Sequence, residues 1–285
     1  MAGATGRAEE TKGQGTCFSA LNLGCGKRFH PDWVNIDLHP TSPCVRKWDL
    51  KENLPFLDGS FDVVYHSHVL EHFSRTDGLR LLGRCRRVLR AGGTLRVVVP
   101  DLERIVYLYL GSLEKSLAGD QEAALQHEWA LLEMYDQTVR EGSGGEMLAY
   151  LRQGNESQIT FMRARLGGEL EHMLAAQGTA LTSKKDNRVR GLVETMRRKA
   201  LRLLVGREGV AAYDHGRFRR SGEVHKWMYD RYSLAKALKC AGFIDAKQCG
   251  APDSRIPQWP SFHLDTDPDG STYKPDSLFM EATRP

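Results

Sequence analysis

Residues 20–37 decide the fold: Ala20-Leu21-Asn22-Leu23-Gly24-Cys25-Gly26-Lys27 and, after a short gap, Trp33-Val34-Asn35-Ile36-Asp37. A short apolar run ends in Gly-x-Gly, and a second run ends in an acidic residue. Glycines let a turn pass close to a ligand with no Cβ in the way. A carboxylate at the end of the next strand can accept hydrogen bonds from both hydroxyls of a ribose. Two departures from the dinucleotide fingerprint steer the reading away from NAD. Arg28 and Phe29 stand where Gly-x-x-Gly would continue. Asp37 follows Gly24 by thirteen residues, where the fingerprint expects about twenty from the glycines. With no pyrophosphate to seat on a helix N-terminus, the first crossover needs little more than a loop. Both departures point towards S-adenosylmethionine (SAM).

Outward from this stretch, short apolar runs alternate with helical patterns. Residues 18–23, 33–37, 45–49 and 61–65 read as strands one to four, the last following the turn Leu57-Asp58-Gly59-Ser60. Leu79, Leu82, Val88 and Leu89 recur at helical spacing until Ala91-Gly92-Gly93, where glycine can cap a helix. Residues 94–99, apolar but for Thr94 and Arg96, read as a buried parallel strand. Strands alternating with helices predict an α/β fold with a parallel sheet and right-handed crossovers. From 103 to 222 the strand pattern disappears. Runs such as Tyr107-Leu108-Tyr109-Leu110 look helical, and Gly142 to Gly145 and Gly154-Asn155 break them. A helical insertion is the simplest reading, and such insertions commonly cover an active site. A helix then opens at Asp230 with Leu234, Ala237, Leu238 and Ala241 on one face, Gly242 ends it, and 243–249 and 277–282 read as the last strands.

The composition excludes other classes. Of 285 residues, 41% are hydrophobic and 27% charged, ordinary for a globular domain. No run approaches the roughly twenty apolar residues of a membrane span. Residues 1–16 are small, polar and charged, and read as a disordered tail without the apolar core of a signal peptide. The six cysteines form no Cys-x-x-Cys pair, which argues against a zinc knuckle, and several sit in apolar runs, as reduced thiols of a cytoplasmic protein do. Residues 183–220 hold twelve Lys or Arg against four Asp or Glu, a net +8, so the remainder carries −4. A solvated insertion helix is the simpler account of that basic stretch.

Taken together, the pieces resemble the class I SAM-dependent methyltransferases. The resemblance is carried by Leu-Asn-Leu-Gly-Cys-Gly at 21–26, Asn35-Ile36-Asp37-Leu38, Trp48-Asp49-Leu50, Phe61-Asp62-Val63-Val64, Val69-Leu70-Glu71-His72 and Arg87-Val88-Leu89-Arg90-Ala91-Gly92-Gly93. It implies a Rossmann-like seven-stranded sheet with its last strand antiparallel and a helical lid inserted between strands five and six. Residues 17–103 and 223–285 would form the SAM-binding domain, and 104–222 the insertion that selects the substrate. SAM would lie across the carboxyl ends of strands one to four. Gly24, Cys25 and Gly26 would flank its methionine portion, and Asp37 with Leu38 its ribose. Asp49 would take the adenine amino group, Leu50 would stack on the ring or present its backbone, and His66 would complete the set. Val99-Pro100-Asp101-Leu102, His225-Lys226-Trp227-Met228-Tyr229 and Lys274-Pro275-Asp276-Ser277-Leu278 are similar to methyltransferases found with glycan and natural-product biosynthesis.

Methyl transfer from a sulfonium needs an aligned nucleophile and removal of its proton. Strand four ends in Tyr65-His66-Ser67-His68, close to the expected methyl group. His68 is the candidate base and His225 the second choice, with Tyr229 facing the same pocket. His68-Val69-Leu70-Glu71-His72 also matches the inverted zinc-peptidase signature, but it lies at a strand end within a SAM-binding order. It further resembles the Glu-x-x-Glu-His of metal-assisted methyltransferases acting on polyprenyl quinols or small-RNA ends, with His68 in place of the first glutamate. A local structural pairing of Glu71 with His72 is preferred, so no metal is assigned, although a divalent ion remains an alternative. Nucleic acid is disfavoured as a substrate, because Asp/Asn-Pro-Pro-aromatic is missing after strand four and the basic stretch lacks interleaved aromatics. The expectation is a cytoplasmic SAM-dependent O-methyltransferase acting on a small-molecule or glycan acceptor, a saccharide or secondary metabolite, as a monomer or a homodimer. Asp136, Arg140 and Glu146 would supply polar contacts from the insertion. The alternatives are methylation of RNA or protein, a non-catalytic SAM-binding module, and a peripheral membrane protein using residues 192–204 as a basic amphipathic helix.

Overall fold

The computed structural model describes residues 18–171 and 188–285. The expected tail at 1–16 and part of the basic stretch lie outside the described residues. Seven strands form one sheet: β1 (Ala20–Leu23), β2 (Val34–Asp37), β3 (Val45–Lys47), β4 (Phe61–Ser67), β5 (Leu89–Pro100), β6 (Ile244–Cys249) and β7 (Ser277–Thr283). Their order across the sheet is β3-β2-β1-β4-β5-β7-β6. The first five strands are mutually parallel, and β7 runs antiparallel between β5 and β6. This is the Rossmann-like seven-stranded sheet with an antiparallel last strand that the resemblance implies. The chain winds outward from β1 to β3, then crosses back to β4 and winds the other way. That reversal opens a crevice at the carboxyl ends of β1 and β4.

Three strand boundaries differ from the sequence expectation. β4 continues through His66 and Ser67, because Ser67 still pairs with Val98 of β5. β5 starts at Leu89 rather than Thr94, and Gly92, at φ 76°, makes an irregularity inside the strand instead of capping the helix. β3 stops at Lys47, so Asp49 lies in the following turn, where its Oδ1 accepts the Lys51 N–H at 2.9 Å.

Each face of the sheet carries a core. Helix α1 (Arg75–Val88) buries Leu81, Leu82, Cys85 and Val88; of the expected face only Leu82 and Val88 are buried on the helix, whereas Leu79 is exposed and Leu89 opens β5, and Ser74 caps the N-terminus by accepting from the Asp77 N–H. It packs with Leu21, Leu23, Val64, Leu95 and Leu234. The other face is aromatic, with Trp33, Tyr65, Trp259 and Phe279 around Val63 and Val98. Between β5 and β6 the chain forms α2 (Leu102–Leu117), α3 (Gln121–Val139), α4 (Gly145–Gln153), α5 (Glu156–Leu166) and α6 (Arg188–Arg219), the last broken at Gly206. These helices hold a core of their own, built from Trp129, Met147, Leu151, Met162, Leu166 and Leu170. Helix α7 (Arg231–Cys240) follows, its capping residue Asp230 accepting from the N–H groups of Tyr232 and Ser233. Among the described residues, no helix is long and apolar enough to cross a membrane.

The antiparallel end of the sheet is held by a buried cation. Arg96 on β5 is fully buried, and its Nε donates to Asp265 Oδ2 at 2.7 Å while Nη1 donates to Glu281 Oε1 at 2.8 Å. Its remaining donors reach the carbonyls of Gly250, Ala251 and Asp253. Tyr65 Oη donates to the other oxygen of Asp265 at 2.6 Å. One side chain thus ties β4, β5, β7 and the loop after β6 together. Arg96→Met removes a positive charge from between two buried carboxylates, which typically costs about 3–5 kcal/mol. Urea denaturation is expected to show that loss, and an unchanged midpoint would refute the account.

Candidate functional site

The turn after β1 is shaped by two glycines. Gly24 has φ 61°, and its N–H donates to the Ile36 carbonyl at 2.8 Å. A Cβ built there would stand 2.5 Å from Val69 Cγ2, so the loop can lie against the turn after β4 only without a side chain. Gly26, at φ 55°, has open space on its side-chain face. Its N–H donates to Asp37 Oδ2 at 2.9 Å, and Asp37 Oδ1 accepts the His39 N–H at 2.7 Å. Asp37 therefore braces the glycine loop and keeps further lone pairs for a ligand. Between the glycines, burial and the Asp37 charge push the Cys25 thiol up to about 12.

Among the described residues, two adjoining cavities that share part of their lining open along the carboxyl edge of the sheet. The first, about 510 Å³, is lined by Asn22, Gly24, Cys25, Gly26, Lys27, Arg28, Tyr65, Ser67, His68, Glu169, Leu264, Tyr273 and Lys274. Arg28 braces its mouth, pairing with Asp267 at 2.8 Å and lying 3.7 Å above the Tyr273 ring. The second, about 380 Å³, is walled by α2 to α5 through Ile105, Glu133, Gln137, Arg140, Met147 and Leu166. Its other wall includes His72, Glu223, His225 and Asp276. His68, Glu169 and Lys274 line both. Lys274 Nζ and Glu169 Oε2 are 2.7 Å apart, so an ion pair and one imidazole form the shared waist.

His68 occupies a left-handed backbone position, φ 52°, uncommon for a residue with a Cβ and of the kind that clusters at functional sites. Its N–H donates to the Val98 carbonyl at 2.9 Å, which anchors the turn to β5. The ring Nε2 lies 2.9 Å from Ser277 Oγ, and Nδ1 lies 3.3 Å from Glu71 Oε1. Burial, with the Lys274 charge nearby, pulls the His68 imidazole down to about 3, so the ring is neutral at physiological pH. His225 is held by its N–H on the Gln137 carbonyl and stays neutral through burial, with its Nε2 4.0 Å from the same Glu71 oxygen.

The expected site residues divide between cavity, support and core. Gly24, Cys25, Gly26 and His68 line the first cavity, and His68 and His225 line the second. Asp37 reaches the first through its bond to Gly26. Leu50 packs beneath Gly24, and Leu38 and Asp49 stand beyond the described lining. Two placements are corrected. His66 is fully buried on the same strand face as Val64, away from the cavity faced by Tyr65 and Ser67, and burial pulls it down to about 4. Tyr229 is 4% exposed within the α1 core and lines neither cavity, because its backbone pairs with Asp101. In the insertion, Arg140 lines the second cavity, whereas Asp136 accepts the Glu146 N–H at 2.7 Å and braces α4. Sequence reasoning missed Asn22, Ser67, Glu169, Tyr273, Lys274 and Asp276 as cavity residues. Two-residue alternation along β4 was a signal for Ser67.

Residues 35–97 match the family described as a methyltransferase domain. Over 105 residues, 31% of this chain, the sequence is 31% identical to an uncharacterized protein of Methanocaldococcus jannaschii. That match spans 44% of the relative, so the chain covers less than half of the curated relative it matches. A SAM-dependent methyltransferase structure from Archaeoglobus fulgidus aligns at 13% identity over 94% of this chain and 86% of that one, with a TM-score of 0.39. A chain from the complex of the Haloferax volcanii Trm112 methyltransferase activator with a methyltransferase aligns at 13% identity over 94% and 82%, with a TM-score of 0.38.

One cavity wall titrates near neutrality. Burial, reinforced by the Glu133 and Glu169 charges, pushes the Asp276 carboxyl up to about 7. The folded state then keeps a proton that the unfolded chain loses at about pH 4. Stability is therefore greatest below about pH 4 with respect to this group, and that contribution is lost as pH rises through about 7. Asp276→Asn is expected to remove the dependence, so that the variant melts higher relative to wild type at pH 8 than at pH 5. Parallel melting shifts at the two pH values would rule it out.

Proposed function

We propose that this methyltransferase moves the methyl group of SAM to a hydroxyl of a saccharide or secondary-metabolite acceptor. The observation that carries this reading is the pair of cavities meeting at His68, one on the glycine loop and one on the insertion helices. SAM occupies the first, with the loop from Gly24 to Gly26 along its methionine portion and Asp37 on its ribose. The acceptor occupies the second, so that acceptor oxygen, methyl carbon and sulfur align through the waist for in-line displacement. The second cavity offers both donors and acceptors, among them Gln137, Arg140, Glu223 and His72, as a polyhydroxylated molecule requires. The insertion then acts as a lid and as the acceptor-selecting wall.

His68 fills the role of base in this scheme, with Ser277 setting the tilt of its ring. The burial that keeps His68 neutral also makes it a weak base. It takes the hydroxyl proton once the new O–C bond has made that proton strongly acidic. No protonation near pH 6.5 is then needed to switch it on.

His68→Ala is expected to lower turnover by a factor of about a hundred with SAM affinity kept, as read by S-adenosylhomocysteine release with hydroxyl acceptors. Undiminished turnover would remove the residue from the chemistry. Asp37→Ala is expected to weaken SAM binding at least about tenfold in calorimetry, a loss of about 1.4 kcal/mol or more. Wild-type affinity in that variant would place the ribose elsewhere.

A further inference from the structure

Glu71 presents a physical problem that methyl transfer alone does not solve. Its side chain is completely buried, and neither carboxylate oxygen accepts a hydrogen bond. Burying a carboxylate in this state is costly unless a cation or several donors compensate it. Its neighbours are instead three imidazoles: His68 Nδ1 lies 3.3 Å and His225 Nε2 4.0 Å from Glu71 Oε1, with His72 beside them.

The geometry supplies what a metal ion needs. One ligand atom each from Glu71, His72 and His225 lie within 4.8 Å of one another. Neighbouring ligands around a bound divalent ion stand roughly 3.0–3.5 Å apart, so small side-chain rotations close the set. His72 Nδ1 donates to the Val224 carbonyl at 3.4 Å, which leaves Nε2 as the free ligand atom. A histidine that ligates through one nitrogen usually fixes its tautomer in this way through the other. The two chain segments are also pinned together, since the N–H groups of Lys226 and Trp227 donate to the Glu71 carbonyl at 2.7 and 3.2 Å.

We propose that Glu71, His72 and His225 form a binding site for one divalent transition-metal ion, with open positions towards the second cavity. Two imidazoles and one carboxylate suit Zn²⁺, Mn²⁺ or Fe²⁺ better than Ca²⁺ or Mg²⁺, which favour oxygen ligands. The ion removes the charge deficit around Glu71 and turns a buried liability into a ligand. It also departs from the sequence reading, which kept Glu71 and His72 as a structural pair. Its open positions face the space assigned to the acceptor, where they can hold an acceptor oxygen. That use rests on the methyl-transfer reading, and the metal site itself does not.

Full-length protein dialysed against chelator is titrated by calorimetry with Zn²⁺ alone, and separately with Mn²⁺ alone. One equivalent of at least one ion is expected to bind, and Glu71→Gln and His225→Ala are each expected to weaken it at least about tenfold. Binding of S-adenosylhomocysteine, measured on the same preparations, is expected to stay unchanged and certifies that each variant is folded. Should either variant fail that check, His72→Gln, at the cavity wall, takes its place. Failure of both ions to bind, or affinity unaltered in the folded variants, overturns the site. If wild-type protein binds the ion but not S-adenosylhomocysteine, the metal site stands and the methyl-transfer reading falls.

Discussion

Everything at this site depends on the parallel pairing of β1 with β4. Leu23 stands opposite His66, so both strands end at the same level. The glycine loop leaves one and the His68 turn leaves the other. Gly24 and Val69 then meet so closely that the two turns share one surface. A register shift of one residue would bring every β4 side chain to the opposite face. Tyr65 and Ser67 would turn to the α1 face, and the first cavity would lose its floor.

Two buried charges illustrate opposite solutions to one physical problem. Arg96 finds two carboxylates and three carbonyls, and spends its donors on fastening strands together. Glu71, buried as deeply, finds no donor. The first is a structural device that fastens β4, β5 and β7 on the aromatic face of the sheet. The second stands where β4, the chain before α7 and the second cavity converge. The difference in hydrogen bonding, rather than in burial, separates a fastening from a candidate site.

Much of the sheet was legible because its signals are local. Each early strand is an apolar run halted by a residue with its own chemistry, Gly24 after β1 and Asp37 at the end of β2. The resemblance supplied the seven-stranded sheet with its antiparallel last strand, which no local pattern contains; the strand order came from the structure. Errors arose where pairing across the sheet overrode local cues. Gly92 and Gly93 looked like a helix stop, yet β5 passes through them because it pairs with β4 from Leu89 onward. His66 looked like a cavity residue because it neighbours His68 in sequence, but alternation along β4 sends it to the opposite face. Glu169 and Lys274 join two distant segments at the waist, and nothing in either segment announces the partner.

The state of Cys25 bears on chemical safety within the first cavity. A sulfonium donor is an alkylating agent, and the anionic form of cysteine is the strongest nucleophile among ordinary side chains. A sulfur seated against such a donor would ordinarily risk being methylated itself. Here enclosure and the adjoining carboxylate keep the sulfur in its unreactive protonated form at neutral pH. With SAM placed as proposed, the same acid that steadies the loop discourages self-alkylation and leaves the methyl group for an acceptor beyond the waist.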